Sequence, residues 1–134
     1  MKRMKLPLIT GILLSGATAY AGSMTVTVTS YNSLQSQTDS TPFITATGTR
    51  TRVGVVAASR DIIRKYGYGA RVTFTNFIPS NGCNPAFFPK NAVFYIEDTT
   101  AARKINQIDV WLPTRNQSIN LGKCYAKVLI TPKR

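Results

Sequence analysis

Ile108-Asp109-Val110-Trp111-Leu112 is the stretch on which the fold turns. Apolar side chains at 108, 110 and 112 alternate with Asp109 and Trp111. A period of two puts the first three on one face of a strand and the acid and the indole on the other. Asp is depleted from strands, so an aspartate on such a face calls for a reason beyond sheet formation. Working outward, the same alternation of β-branched and aromatic residues recurs in five further segments. They are Met24-Thr25-Val26-Thr27-Val28-Thr29, Val53-Gly54-Val55-Val56-Ala57, Arg71-Val72-Thr73-Phe74, Ala92-Val93-Phe94-Tyr95-Ile96 and Tyr125-Ala126-Lys127-Val128-Leu129-Ile130. Six short strands separated by Gly, Pro, Asn and Ser predict an all-β protein, a small barrel or sandwich. Two short helices are expected between them. One is Arg60-Asp61-Ile62-Ile63-Arg64-Lys65-Tyr66, with Ser59 as N-cap and Gly67 or Gly69 as the stop; the weaker case is Arg115-Asn116-Gln117-Ser118-Ile119-Asn120-Leu121 before Gly122. Pro42, Asn81-Gly82, Asn84-Pro85 and Phe87-Phe88-Pro89 mark loops.

Composition narrows the chemistry. The 134 residues hold 17 Lys and Arg, 5 Asp and Glu and no His, a formal charge of +12. Acid–base work near neutral pH therefore falls to a carboxylate, or to the less common Lys, Tyr and Cys. The positive excess favours anionic partners. At the start, Lys2, Arg3 and Lys5 precede the apolar run Leu6-Pro7-Leu8-Ile9-Thr10-Gly11-Ile12-Leu13-Leu14 and the small-residue site Ala19-Tyr20-Ala21. This pattern predicts an export signal over residues 1–21, cleaved before Gly22, because the run is shorter than the roughly 20 residues of a membrane span. Residues 22–134 then form one domain, and no integral membrane segment is expected after cleavage. An export address of this kind points to a periplasmic or secreted product and away from nucleic acid as a partner. Outside the cytoplasm the two cysteines, Cys83 and Cys124, either bridge or remain as a pair of buried thiols. A bridge would close a loop of about 42 residues and add roughly 4 kcal/mol by the chain-entropy relation. No metal site and no cofactor are expected, since two sulfurs without an imidazole rarely complete a zinc site.

Six pieces of sequence, taken in order, resemble the three-aspartate (3D) domain: Val28-Thr29-Ser30-Tyr31-Asn32, Thr38-Asp39-Ser40-Thr41-Pro42, Thr45-Ala46-Thr47-Gly48, Val55-Val56-Ala57-Ala58-Ser59-Arg60-Asp61, Glu97-Asp98-Thr99 and Ile108-Asp109-Val110-Trp111. The resemblance runs collinearly over about residues 26–130. It implies a six-stranded double-psi β-barrel, the fold of the catalytic domain of membrane-bound lytic transglycosylase A and of expansin-like proteins. It also implies that Asp61, Asp98 and Asp109 line a groove for glycan strands, with Asp109 as the catalytic acid. Crowded carboxylates raise at least one pKa, and a glycosidic oxygen needs a proton as it leaves. Tyr31, Thr47 and Thr99 are the expected polar contacts to the sugar, with Trp111 against a ring face. Of the other two acids, Glu97 is expected to face solvent and Asp39 to form a turn. The chain departs from the Asp-Thr-Gly-Gly pattern of many transglycosylase relatives, because Asp98-Thr99 continues as Thr100-Ala101-Ala102-Arg103-Lys104. Side chains stand where glycines would admit close backbone approach, and Arg103 and Lys104 bring positive charge near Asp98.

The expectation is thus an exported, monomeric, peptidoglycan-active protein whose partner is the glycan strand, most simply a lytic transglycosylase-like enzyme. Two other classes stay open on the sequence. One is a wall-binding module of expansin type without cleavage, and the other is a secreted effector on the same fold, since fold does not fix function.

Overall fold

Alternation builds the elements and a closed sheet joins them. The computed structural model describes residues 20–33 and 43–133. All but the last two residues of the expected export signal, and the turn expected at Asp39, lie outside the described residues. The strands are β1 (Gly22–Tyr31), β2 (Val55–Ala58), β3 (Arg71–Ile78), β4 (Phe94–Thr99), β5 (Gln107–Trp111) and β6 (Cys124–Thr131). Helix α1 (Arg60–Tyr66) follows β2, α2 (Arg115–Leu121) precedes β6, and a single 3₁₀ turn covers Pro85–Phe87. The sheet closes on itself in the order β1-β5-β2-β4-β3-β6, so the expected six-stranded all-β barrel is present. β1–β5 and β2–β4 run parallel, and the other four pairs are antiparallel.

Every second side chain fills the barrel. Val26 and Val28, Ile108 and Val110, and Ala126, Val128 and Ile130 are almost completely buried and meet in one core. Closure removes the free edges that short strands would otherwise expose.

Two bulges interrupt the alternation. In β3 the register against β6 runs Phe74↔Val128 and then Asn76↔Lys127, so Thr75 is the extra residue. Phe74 and Phe77 consequently lie on one side, with ring centroids 5.9 Å apart, and join Phe88 and Phe94 in an aromatic cluster. In β4 the register against β2 runs Val56↔Ile96 and then Ala57↔Asp98, so Glu97 is the extra residue. An inserted residue reverses which side chains face the core beyond it. Asp98 therefore points outward, beside Ala57.

The helices differ at their starts. Thr114 caps α2 by accepting the Gln117 N–H at 3.2 Å. Ser59 occupies the N-cap position of α1, yet its side chain makes no capping bond, contrary to the expectation from sequence. Its hydroxyl is engaged elsewhere, as described below. Gly67 ends α1 and Gly122 ends α2, both at positive φ. Gly122 has a second reason to be glycine, because a Cβ there would stand 1.9 Å from the Gly82 carbonyl oxygen. That close approach seats the 79–84 loop against the start of β6, where Cys83 and Cys124 form a disulfide.

Candidate active site

Register alone gathers the acids. Thr29 pairs with Asp109, Asp109 with Ala57, and Ala57 with Asp98, so one row crosses β1, β5, β2 and β4. Adjacent strands are about 4.8 Å apart, which places the two aspartates on either side of a single alanine methyl at roughly 10 Å between backbones. Ile108, Val110 and Leu112 are buried on the opposite face, at 0, 0 and 2% exposure, as the alternation around Asp109 requires.

Asp109 is held on one side only. The Thr29 hydroxyl donates to its Oδ1, and Gln107 Nε2 donates to the same oxygen at 2.7 Å and to Thr29 Oγ1 at 2.9 Å. Among the described residues no donor reaches Oδ2. Thr29, Gln107 and Asp109 thus form a closed three-membered set, and because an ionised carboxylate only accepts, the amide must present its nitrogen. Gln107 is itself buried.

Asp98 is differently placed. Its Oδ1 accepts the backbone N–H groups of Ala46 at 3.1 Å and Thr99 at 3.0 Å, and its Oδ2 accepts the Tyr31 hydroxyl at 3.2 Å. Both oxygens are occupied, and neither Arg103 nor Lys104 is among their partners. The Ala46 bond belongs to a tight turn, Thr45-Ala46-Thr47-Gly48, closed by Gly48 N–H to Thr45 O at 2.9 Å. That turn docks on the β4 bulge. Thr47 N–H donates to the Glu97 carbonyl at 3.1 Å and the Thr47 hydroxyl to Glu97 Oε1 at 2.8 Å. Thr47, expected to touch the sugar, is spent on Glu97, which in turn is paired and not simply solvated.

Tyr31 reaches Asp98 from β1. It starts on β1, opposite Trp111 on β5, and its hydroxyl ends on Asp98 of β4. Burial, then the charge of Asp98 and the hydrogen bond to it, then the charge of Asp109, push its pKa far above the ordinary tyrosine value. The phenol is a neutral donor between two carboxylates. Trp111 Nε1 donates to Ser33 Oγ at 2.9 Å, which fixes the indole on the face it shares with Asp109. Thr99 sits opposite Ala58 and donates weakly to the Thr100 carbonyl at 3.5 Å.

Asp61 keeps separate company. It lies in the first turn of α1 and accepts the Asn106 N–H at 3.1 Å. Desolvation raises its pKa, but hydrogen bonds from the Ser59 hydroxyl, from Asn106 and from the first-turn N–H groups of Asp61 and Ile62 outweigh that and hold it below 3.8. The structure therefore sets Asp98 and Asp109 on either side of Ala57 and leaves Asp61 in the first turn of α1. Thr29 and Gln107 were missed in the sequence. The available signal was that Gln107 shares the strand face of Asp109 two residues away.

Among the described residues no group of three or more potential metal-ligating side chains forms, and no helix is long and apolar enough to cross a membrane. A cavity of about 530 Å³ opens elsewhere, over Phe74, Phe77, Phe88 and Phe94, and none of the described acids, Asp61, Glu97, Asp98 and Asp109, lines it.

No family model and no curated protein matches the chain. Among solved structures it is similar to MltA from E. coli, at TM-score 0.47 and 13% identity over 72% of this chain and 29% of that one. It is also similar to an apo-2 form of a variant of the E. coli lytic transglycosylase MltA, at TM-score 0.46 and 14% identity over 68% and 27%. A further crystal structure of MltA from Escherichia coli, described as a unique lytic transglycosylase fold, is similar at TM-score 0.43 and 13% identity. The chain spans less than a third of the length of these structures.

Proposed function

We propose that this protein cleaves the glycan strands of peptidoglycan outside the cytoplasm by a lytic transglycosylase-like reaction with Asp109 as its one acid and base. The observation that carries this reading is the unequal use of the two aspartates. Asp109 offers a free Oδ2 on a face shared with Trp111, whereas both oxygens of Asp98 are consumed by Tyr31, Ala46 and Thr99. Hydrolysis by the usual glycosidase route needs two working carboxylates, one as acid and one to activate water or attack the sugar. Of Asp98 and Asp109, only Asp109 has an oxygen without a donor among the described residues. A single carboxylate suffices when the sugar's own hydroxyl is the nucleophile. In its protonated form Asp109 gives its proton to the glycosidic oxygen as the C1–O bond breaks. The 6-hydroxyl of the same muramic acid then attacks C1 and returns its proton to Asp109, leaving a 1,6-anhydro end and an uncharged leaving hydroxyl.

The remaining residues take supporting roles in this proposal. Thr29 and Gln107 hold Oδ1 so that Oδ2 faces the substrate, Trp111 lies against a sugar ring, and Tyr31 and Asp98 fix the loop at 45–48 that forms one side of the groove. The resemblance of the sequence pieces to the 3D domain supports the same substrate class.

A wall-binding module that does not cut is the second reading. It is favoured by the commitment of Tyr31 to Asp98 and of Thr47 to Glu97, which leaves few free polar groups for a reacting sugar. Incubation of the purified protein with peptidoglycan, followed by mass spectrometry, separates the two. Release of anhydro-muropeptides by wild type and not by Asp109→Asn supports the enzyme, and retention on insoluble wall without soluble fragments supports the module. Absence of both cleavage and retention would leave the effector class.

A further inference from the structure

Asp109 owes its orientation to Gln107, and Gln107 sits at a point where the backbone is unusually constrained. Asn106, just before it, has φ of 50°, a left-handed conformation that asparagine tolerates better than most residues. Its carbonyl accepts the Thr27 N–H at 2.9 Å. Its N–H goes to Asp61 Oδ2 at 3.1 Å. The next peptide is gripped from α1 as well, since the Gln107 N–H donates to Ser59 Oγ at 3.0 Å and the Gln107 carbonyl accepts the Ser59 N–H at 2.9 Å. Asp61 takes the Asn106 N–H while Ser59 takes that of Gln107, so the first residues of α1 grip both peptides.

Ser59 has set aside its usual task, and Asp61 divides its carboxylate between its own helix and Asn106. A serine at an N-cap ordinarily accepts from its own helix, and substituting such a cap costs about 1 kcal/mol. Ser59 makes no such bond and is wholly buried with its oxygen on Gln107. Asp61 stands in the first turn of a seven-residue helix and directs its carboxylate at a different strand's entry.

We infer that Ser59 and Asp61 form a clamp on Asn106–Gln107 that sets the Gln107 amide against Asp109, so that Asp61 is a positioning residue for the working carboxylate and does not itself meet the glycan. The inference rests on the reading of Asp109 as the working acid, but the clamp can be tested without that chemistry. Three acids that the sequence suggested as one cluster then divide into a reacting group, Asp109, a loop anchor, Asp98, and a remote orienter, Asp61. The path runs Asp61–Asn106–Gln107–Asp109, with a hydrogen bond or one residue at every step, and Ser59 holds the Gln107 peptide from the other side. Outer-shell partners of this kind around metal ligands change activity by about 10–100-fold when removed, and a protonic site held by one amide and one hydroxyl is expected to behave alike.

The test compares Asp61→Ala, Asp61→Asn and Ser59→Ala by NMR of the Gln107 side-chain amide, with kinetics on peptidoglycan in parallel and the methyl spectrum as a check of fold. In wild type the two Gln107 Nε2 protons are expected to be resolved and slow to exchange. Asp61→Ala and Ser59→Ala should each speed that exchange by about tenfold or more, and lower kcat by about tenfold with KM unchanged, on the scale of outer-shell losses. Asp61→Asn retains an acceptor for the Asn106 N–H and should restore both readouts. Should Asp61→Ala fail to fold, Ser59→Ala decides by the same signals. Unchanged Gln107 amide exchange in folded Asp61→Ala or Ser59→Ala overturns the clamp. If the amide responds as expected while the wild type releases no anhydro-muropeptide, the clamp stands and the proposed reaction falls.

Discussion

Tyr31 shows how a residue chosen for contact with a ligand can instead define the site's own electrostatics. Its hydroxyl is buried, donates to Asp98 and lies near Asp109, and these causes, in that order of size with the charge of Asp98 second, raise its pKa well above 10.0. The folded protein therefore keeps the proton that the unfolded chain gives up. The stabilisation tied to this group is complete below about pH 10, the unfolded value, and is lost as pH rises beyond it. Urea midpoints between pH 8 and 11 should fall more steeply for wild type than for Tyr31→Phe, because the other tyrosines are common to both. Equal slopes would mean that the phenol is not held as described. At this scale the sequence was legible where alternation speaks: Ile108, Val110 and Leu112 go in, and Asp109 and Trp111 stay out. Thr47 and Gln107 were not legible, since the partners of a polar side chain depend on which strands become neighbours. Gln107 meets Thr29 from 78 residues away.

Among the elements, the β4 bulge and the disulfide loop matter most for the site. Simple alternation would set Ile96 and Asp98 on the same face, and Ile96 is fully buried. The extra residue at Glu97 frees Asp98 from that face and places it beside Ala57. Nothing in Glu97-Asp98-Thr99 announces a bulge, because its cause is the Thr45–Gly48 turn that takes the Glu97 carbonyl. Both helices, by contrast, were readable from their stops at Gly67 and Gly122, and the six strands from their β-branched runs. The Cys83–Cys124 bridge joins residues 41 apart in sequence and fixes the irregular loop to β6. Replacing both cysteines by serine should lower unfolding free energy by roughly 4 kcal/mol, the value expected for a loop of that length. Denaturant unfolding of the double variant against oxidised wild type checks this; a difference under about 1 kcal/mol would show that the bridge does little to the unfolded chain.

For the whole molecule, a closed barrel explains why strand content was easier to read than strand order. Each strand's neighbours are set by closure, and the parallel β1–β5 pair joins Thr27 to Gln107 across most of the domain. The other global property is charge: the full sequence carries a formal +12 with only five acids, and loss of Lys2, Arg3 and Lys5 with the expected signal would still leave +9. Retention on an anionic wall should accordingly weaken with salt, by about tenfold or more between 10 mM and 0.5 M, as the screening length contracts from about 30 Å to below 8 Å. Sedimentation with insoluble peptidoglycan over that range measures it, and salt-independent retention would point to recognition through neutral sugar contacts alone. The central claim concerns Asp109, and the most direct measurement is mass spectrometry of the fragments released from peptidoglycan by wild type and Asp109→Asn. The account predicts anhydro-ended fragments from wild type and at least about a 100-fold loss in the variant, the range expected for a general acid. Full release by Asp109→Asn, or reducing-ended fragments from wild type, would contradict it.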